Sequence, residues 1–217
     1  VWSLNPAGGE LVMGHHEGSF LLSASNSRIL SSEPGAWTFV TMSDEYMLGG
    51  TYTGLVLYRK EKGQWVFDRK LDGLKESCRI MVKDEDQSIW ISHPYRGVYN
   101  VRWNAGNKDK IDIRFFNQEN GLPTNLNNYV FQIAGKAVFA TEKGVFHFDR
   151  SKDTFVPDDD FNRLLDKQHR VRYLREDTKG NVWYVTDHEA GMLIVNDFGL
   201  KKEVRKKVIP ELAGKLV

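Results

Sequence analysis

Residues that could do chemistry are few in this chain, and their spacing rarely lets them converge. His15-His16-Glu17 has the composition of a metal cluster, but neighbours at a strand end point to opposite sides and no histidine stands at i+2 or i+4 to join them. Asp84-Glu85-Asp86 and Asp158-Asp159-Asp160 supply carboxylates without the spaced oxygen ligands and the glycine of a calcium loop, and they read as solvated turns. Cys78 is the only cysteine, which excludes an internal disulfide and a multi-cysteine zinc site; it reads as a small core residue. No nucleophile–base pair or metal constellation emerges, so catalytic residues, metal and cofactor are all assigned as none.

Recognition chemistry is better represented. Aromatics, Arg, Asn and His offer flat apolar area together with hydrogen bonds, a combination that suits sugar hydroxyls or another protein surface. They gather in short loops: His15-His16-Glu17, Tyr52-Thr53, His93-Pro94-Tyr95-Arg96, Glu142-Lys143 and Asp187-His188-Glu189-Ala190. The segment Pro123-Thr124-Asn125-Leu126-Asn127-Asn128 adds amides. The candidate ligand contacts are therefore His93, Tyr95, Arg96, Tyr52, His15, His16, His188, Asn125 and Asn127, with the first three foremost. Tyr95 can stack on a ring, and Arg96 can bind acidic or hydroxyl groups in fixed geometry. Their loop is longer than Thr51-Tyr52-Thr53-Gly54 and is expected to project furthest, alongside Asp187 to Ala190. Arg59, Arg102 and Trp103 are assigned to packing or an outer rim.

An internal repeat positions these loops. Five segments share a strand-like run, a small residue, Thr or His, a short loop, then Gly and apolar residues; Met47-Leu48-Gly49-Gly50-Thr51…Gly54-Leu55-Val56 is one copy. Gly18, Gly54, Gly97, Gly144 and Gly191 are spaced by 36, 43, 47 and 47 residues, the range of propeller blades rather than of helical repeats. Each copy divides into four strand candidates. The third reads Arg79 to Lys83, Ile89 to His93, Gly97 to Trp103 and Ile111 to Phe116, with a turn at Asp84-Glu85-Asp86-Gln87. The fifth reads Val171 to Arg175, Asn181 to Thr186, Gly191 to Asn196 and Lys202 to Val208.

Packing follows from strand three, where Leu55-Val56-Leu57-Tyr58 and Met192-Leu193-Ile194-Val195 are apolar at consecutive positions. Consecutive residues face opposite sides of a sheet, so both faces must be covered, as in a blade between two others. The small residue of strand two (Gly14, Gly50, Ser92, Ala140, then Val185) is expected where adjacent blades approach closely. A single helical turn is expected at Phe161 to Leu165, behind the acidic run.

The fold expected is all-β: a β-propeller with about five four-stranded blades, over approximately 1–33, 34–74, 75–122, 123–167 and 168–208. The tail 209–217 reads as the start of a further blade. The ring is expected to be incomplete and part of a larger, seven-bladed type, with further blades covering its end faces. The excised segment is expected to self-associate or to be less stable than its parent.

The 217 residues are 41% apolar and 27% charged, which gives a core and no case for disorder. A net charge of +1 gives no argument for nucleic acid, and no apolar run is long enough to span a membrane. The N-terminus lacks Met and a basic region, so no signal peptide is visible and the sequence reads as cut from something longer.

Asp177-x-x-Gly180-Asn181-Val182-Trp183-x-x-Thr186…Gly191-Met192 resembles the regulator-propeller repeat. Asn120-Gly121-Leu122-Pro123-Thr124-Asn125 resembles the linker between units of that family, and Gly144-Val145-Phe146-His147-Phe148-Asp149 matches its strand-three ending. The first copy departs from the pattern, having neither the Trp nor the Asp-Gly turn, and the fourth has Ala134-Gly135-Lys136 in place of that turn.

The resemblance implies the sensor region of a bacterial hybrid two-component histidine kinase or a related transcription regulator, commonly one that recognises oligosaccharides. It implies a non-catalytic, ligand-sensing propeller that relays to a downstream kinase or transcription-regulator module. The location implied is periplasmic, or cytoplasmic for a one-piece transcription regulator. Partners are an oligosaccharide or other small molecule, further blades of the same protein, and a homodimer. The alternative is a propeller enzyme of the lactonase, lyase or glycosidase kind with an axial site, which needs a cage of acidic and amide ligands; Glu10, Asn127 and Asp177 do not assemble into one from sequence.

Overall fold

A computed structural model describes residues 1–103, 106, 111–165, 169–198 and 201–210, and among these the alternation of apolar and turn residues produces twenty strands, one short α-helix and a 3-10 turn at Gln118–Asn120. Ile209 and Pro210 of the tail follow the last strand, and 211–217 lie outside the described residues.

Five four-stranded antiparallel sheets follow one another along the chain, each a simple meander. The first holds β1 (Ser3–Pro6), β2 (Leu11–His15), β3 (Gly18–Leu22) and β4 (Ser27–Ser31). The second holds β5 (Thr38–Thr41), β6 (Tyr46–Thr51), β7 (Gly54–Glu61) and β8 (Gln64–Leu71). The third holds β9 (Ile80–Lys83), β10 (Ile89–His93), β11 (Gly97–Trp103) and β12 (Ile111–Phe116). The fourth holds β13 (Tyr129–Ile133), β14 (Lys136–Thr141), β15 (Gly144–Asp149) and β16 (Thr154–Pro157). The fifth holds β17 (Val171–Glu176), β18 (Val182–Thr186), β19 (Ala190–Phe198) and β20 (Lys201–Val208). Helix α1 (Asp159–Leu164) starts two residues before the expected Phe161, inside the acidic run, because the Asp158 carboxylate caps it by accepting from the Phe161 amide.

The chain divides into two compact units, Val1–His93 with Tyr99–Arg114, and Pro94–Val98 with Phe115–Val217. In the first unit the second sheet is buried on both faces. Val56, Tyr58 and Met47 join Val12, Leu21 and Leu30 of the first sheet, while Leu55, Leu57 and Leu48 join Ile89, Ile91 and Val101 of the third. In the second unit Val138, Ala140 and Val145 pack with Val171, Leu174, Tyr184 and Leu193.

Two of the recurring small residues sit at close approaches. A Cβ on Gly14 would lie 2.3 Å from the Ala36 carbonyl oxygen, and one on Gly50 2.2 Å from that of Cys78, so the first sheet presses on the chain entering the second, and the second on the chain entering the third. The glycine that opens strand three has a different reason. Gly54, at φ +121, takes a backbone conformation L side chains avoid, and a Cβ there would meet the Leu74 carbonyl at 2.1 Å.

The turn between strands one and two is also rebuilt from one sheet to another. Asp177 accepts hydrogen bonds from the Lys179 and Asn181 amides and from the Trp183 indole, six residues on. Asp84 makes the same bond to Trp90 Nε1 at 3.0 Å, and Gln87, at φ +66, stands where Gly180 stands at φ +79. The reading of Asp84 as a solvated turn residue is therefore corrected: Asp84 is buried, because its carboxylate anchors the indole of the next strand. Cys78 is buried, and its thiol is pushed up to about 12 by desolvation, with Glu76 adding to the effect.

Candidate functional site

In every sheet the strand-one entry lies beside the exit of strand two, as the pairs Ser3↔Gly14, Thr38↔Gly50 and Val171↔Thr186 record. Two kinds of residue therefore meet at that end: the turn after strand two, and the residue just before strand one.

The turn is built by its first side chain. Thr51 Oγ1 donates to the Gly54 carbonyl and accepts from the Thr53 amide, and Thr141 repeats this with Gly144 and Lys143. Thr186 does so with Glu189 and His188. His15 fills the same place in the first sheet, its Nδ1 accepting from the Glu17 amide at 3.3 Å. The Thr-or-His position of the repeat is thus a turn-closing device.

At this end of the first unit, side chains from three sheets meet. Trp2 precedes β1, Trp37 precedes β5 and Arg79 precedes β9. The rings of Trp2 and Trp37 lie 4.3 Å apart with a 32° tilt, and the Arg79 guanidinium sits 4.7 Å from the Trp37 ring centre. Tyr52 meets Trp37 edge-on at 5.6 Å, and its hydroxyl is 2.8 Å from His16 Nδ1. The Tyr52 ring rests on Gly35, where a Cβ would come within 2.2 Å of it. Of the predicted residues, Tyr52 and His16 are brought together here. Trp2, Trp37 and Arg79 were missed by sequence reasoning; their shared signal is the place just before strand one. His93 lies in the same unit, its side chain 12% exposed and its Nε2 3.5 Å from a Glu76 carboxylate oxygen.

In the second unit Tyr95 is 73% exposed and Arg96 is exposed beside it. The Pro94 carbonyl accepts from the Asn127 amide at 2.9 Å, which ties this loop to the linker. Asn125 and Asn127 are engaged in the scaffold. Asn125 Oδ1 accepts from the Gln118 amide, while Asn127, at φ +55, donates to Glu142 and accepts from the Tyr129 hydroxyl.

His188 is exposed and meets His169 edge-to-face at 4.1 Å. Both line a cavity of about 180 Å³ with Leu165, Thr186, Glu189 and Lys206. Glu189 pairs with Lys206 and accepts from the Tyr184 hydroxyl at 3.1 Å. Burial, with Glu189 adding to it, pushes the Tyr184 phenol well above its usual range. Among the described residues no group of three His, Cys, Asp or Glu side chains is arranged to hold a metal ion. No described helix is long and apolar enough to cross a membrane.

Neither a protein-family model nor a curated protein sequence matches the chain. Solved structures do. The extracellular domain of a hybrid two-component system from B. thetaiotaomicron superposes with a TM-score of 0.66 at 17% identity, over 95% of this chain and 27% of that one. A second such extracellular domain from the same organism gives 0.65 at 16%, over 94% and 28%. Virginiamycin B lyase from Staphylococcus aureus gives 0.60 at 10%, over 96% and 70%. The chain thus spans a little over a quarter of each sensor domain. Five sequential four-stranded meanders and these likenesses lead to one conclusion about kind: the chain is a run of β-propeller blades, similar in fold to those of two-component sensor ectodomains.

Proposed function

We propose that the chain is the ligand-recognition part of a bacterial signalling receptor, lying outside the cytoplasm, that binds a carbohydrate without transforming it and relays occupancy to a kinase or transcription-regulator module. The observation that carries this reading is the set of aromatic and polar side chains at the strand-two exits: Tyr52 braced by His16 and Gly35, and Tyr95 and Arg96 exposed on a loop whose Pro94 carbonyl is bonded to the Asn127 amide. Aromatic faces flanked by hydrogen-bonding groups match sugar rings, whose CH faces are apolar and whose edges are hydroxyls. The likeness in fold to sensor ectodomains is consistent with the signalling role. The likeness to a lyase is one of fold, and no described constellation favours an enzyme.

Further blades of the parent receptor are part of the proposal. Leu4, Leu11 and Ile29 lie on one face of the first sheet and are 55%, 41% and 56% exposed, whereas Val12 and Leu21 on its other face are buried. Trp183 in the fifth sheet is 41% exposed, while Trp90 at the matching turn position is 1% exposed. Apolar sheet faces of this kind are completed by a neighbouring blade.

The test is a signalling reporter driven by the full-length receptor in cells fed defined oligosaccharides. Tyr95→Ala with Arg96→Ala is expected to lower the response while the purified chain keeps its melting temperature, as exposed loop substitutions do within about 0.5 kcal/mol. Undiminished signalling, or turnover of a bound sugar by the purified chain, would overturn the reading.

A further inference from the structure

Three consecutive sheets each contribute the residue before their first strand to one stack, and the stack has features that packing does not explain. Trp2 and Trp37 belong to neither of the buried apolar clusters of their unit. Trp2 is 47% exposed, with its ring against Trp37. Trp37 Nε1 is buried with no hydrogen-bond partner among the described residues. Arg79 is exposed, and no Asp or Glu among the described residues pairs with it; its guanidinium lies over the Trp37 ring. Tyr52, fixed by His16 and Gly35, supports Trp37 from the other direction.

We propose that Trp2, Trp37 and Arg79 form a preorganised platform for an acidic saccharide ring, the Trp2 indole stacking on its apolar face and Arg79 pairing with a carboxylate or sulfate on it. This rests on the carbohydrate-sensing reading above and narrows it to a ligand class. The physical argument has three parts. An indole face takes the CH face of a pyranose without a specific hydrogen bond. A guanidinium already stacked on an aromatic ring has one face desolvated and its fork oriented, so less freedom is lost when an anion arrives. Because no described carboxylate competes for that fork, its strongest available acceptor is an anionic group on the ligand, and such charge-assisted bonds are about twice as strong as neutral ones.

The experiment is titration calorimetry of the chain, with indole fluorescence in parallel. The probes are oligosaccharides of three to six rings carrying glucuronate, galacturonate or sulfate, each beside its neutral counterpart. An acidic probe is expected to bind at least tenfold more tightly than its neutral partner, to shift the fluorescence, and to lose most of that preference in 0.5 M NaCl. Arg79→Ala should abolish the preference, bringing the acidic probe to the affinity of its neutral counterpart, and Trp2→Ala should weaken acidic and neutral probes alike. Arg79→Gln, which keeps the stem over Trp37, serves if the alanine variant melts early. Equal binding of neutral and acidic probes, or a preference that survives both Arg79 variants, overturns the inference and leaves the carbohydrate reading standing. Failure of every saccharide to bind overturns both.

Discussion

Gly50→Ala isolates what the small residue of strand two does, because Gly50 has an ordinary backbone conformation and only space is at issue. Its added Cβ would lie 2.2 Å from the Cys78 carbonyl oxygen, 3.0 Å from Cys78 Cβ and 3.1 Å from Met81 Sδ. Carbon and oxygen need about 1 Å more than that first distance, and the segments cannot part freely. The Gly50 carbonyl accepts from the Trp37 amide at 2.8 Å, and the Thr51 carbonyl accepts from the Cys78 amide at 2.9 Å. Overpacking costs about 1–3 kcal/mol, and weakening one of those bonds adds about 1, so the loss is about 2–4 kcal/mol. At about 2–4 °C per kcal/mol for a chain of this size, the melting temperature should fall by roughly 5–15 °C. Circular dichroism melts read this directly. Gly63→Ala is the counterpart: φ is +81 there and nothing lies within 4 Å of a Cβ, so it suffers strain without a clash and should lose only about 1 kcal/mol. A Gly50→Ala protein melting within about 2 °C of the parent would refute the close-approach argument.

Trp90→Phe removes the indole donor from the buried Asp84 carboxylate and should cost about 1.5–3 kcal/mol in urea denaturation, with an unchanged midpoint counting against the anchoring role. The buried Cys78 thiol, pushed up to about 12, should resist a thiol reagent at pH 8 until denaturant is added; rapid labelling of the native protein would contradict its burial. Asp177 is held below its usual carboxylate range by the Asn181 side chain first and by the Lys179 and Asn181 amides with it. Because its folded pKa lies below the unfolded value of about 3.9, its contribution is complete above that pH and is lost as pH falls through the folded value. Asp177→Asn should therefore flatten the acid limb of the stability curve, and parallel curves for variant and parent would refute this.

The sequence by itself determined the sheets, and for a local reason. Strand alternation, Gly at positive φ and the Thr-Gly turn act within a few residues of chain, so β10 and β11 run over the residues that apolar pattern and turn chemistry predict. Consecutive apolar residues such as Leu55 and Val56 also announced that both faces of the second sheet are covered. The roles of individual polar residues were less legible. Asn125 and Asn127 read as ligand contacts, yet their amides are engaged with the Gln118 amide, Glu142 and Tyr129, partners that only the folded linker brings within reach. Asp84 read as solvent-facing because nothing local distinguishes a free turn carboxylate from one that caps an indole in the next strand. The Trp2–Trp37–Arg79 stack was the least legible of all. Its members are spaced by 35 and 42 residues and carry no shared local pattern beyond preceding a first strand. Only the stacking of successive sheets, which sets neighbouring strand-one entries side by side, turns three scattered residues into one surface.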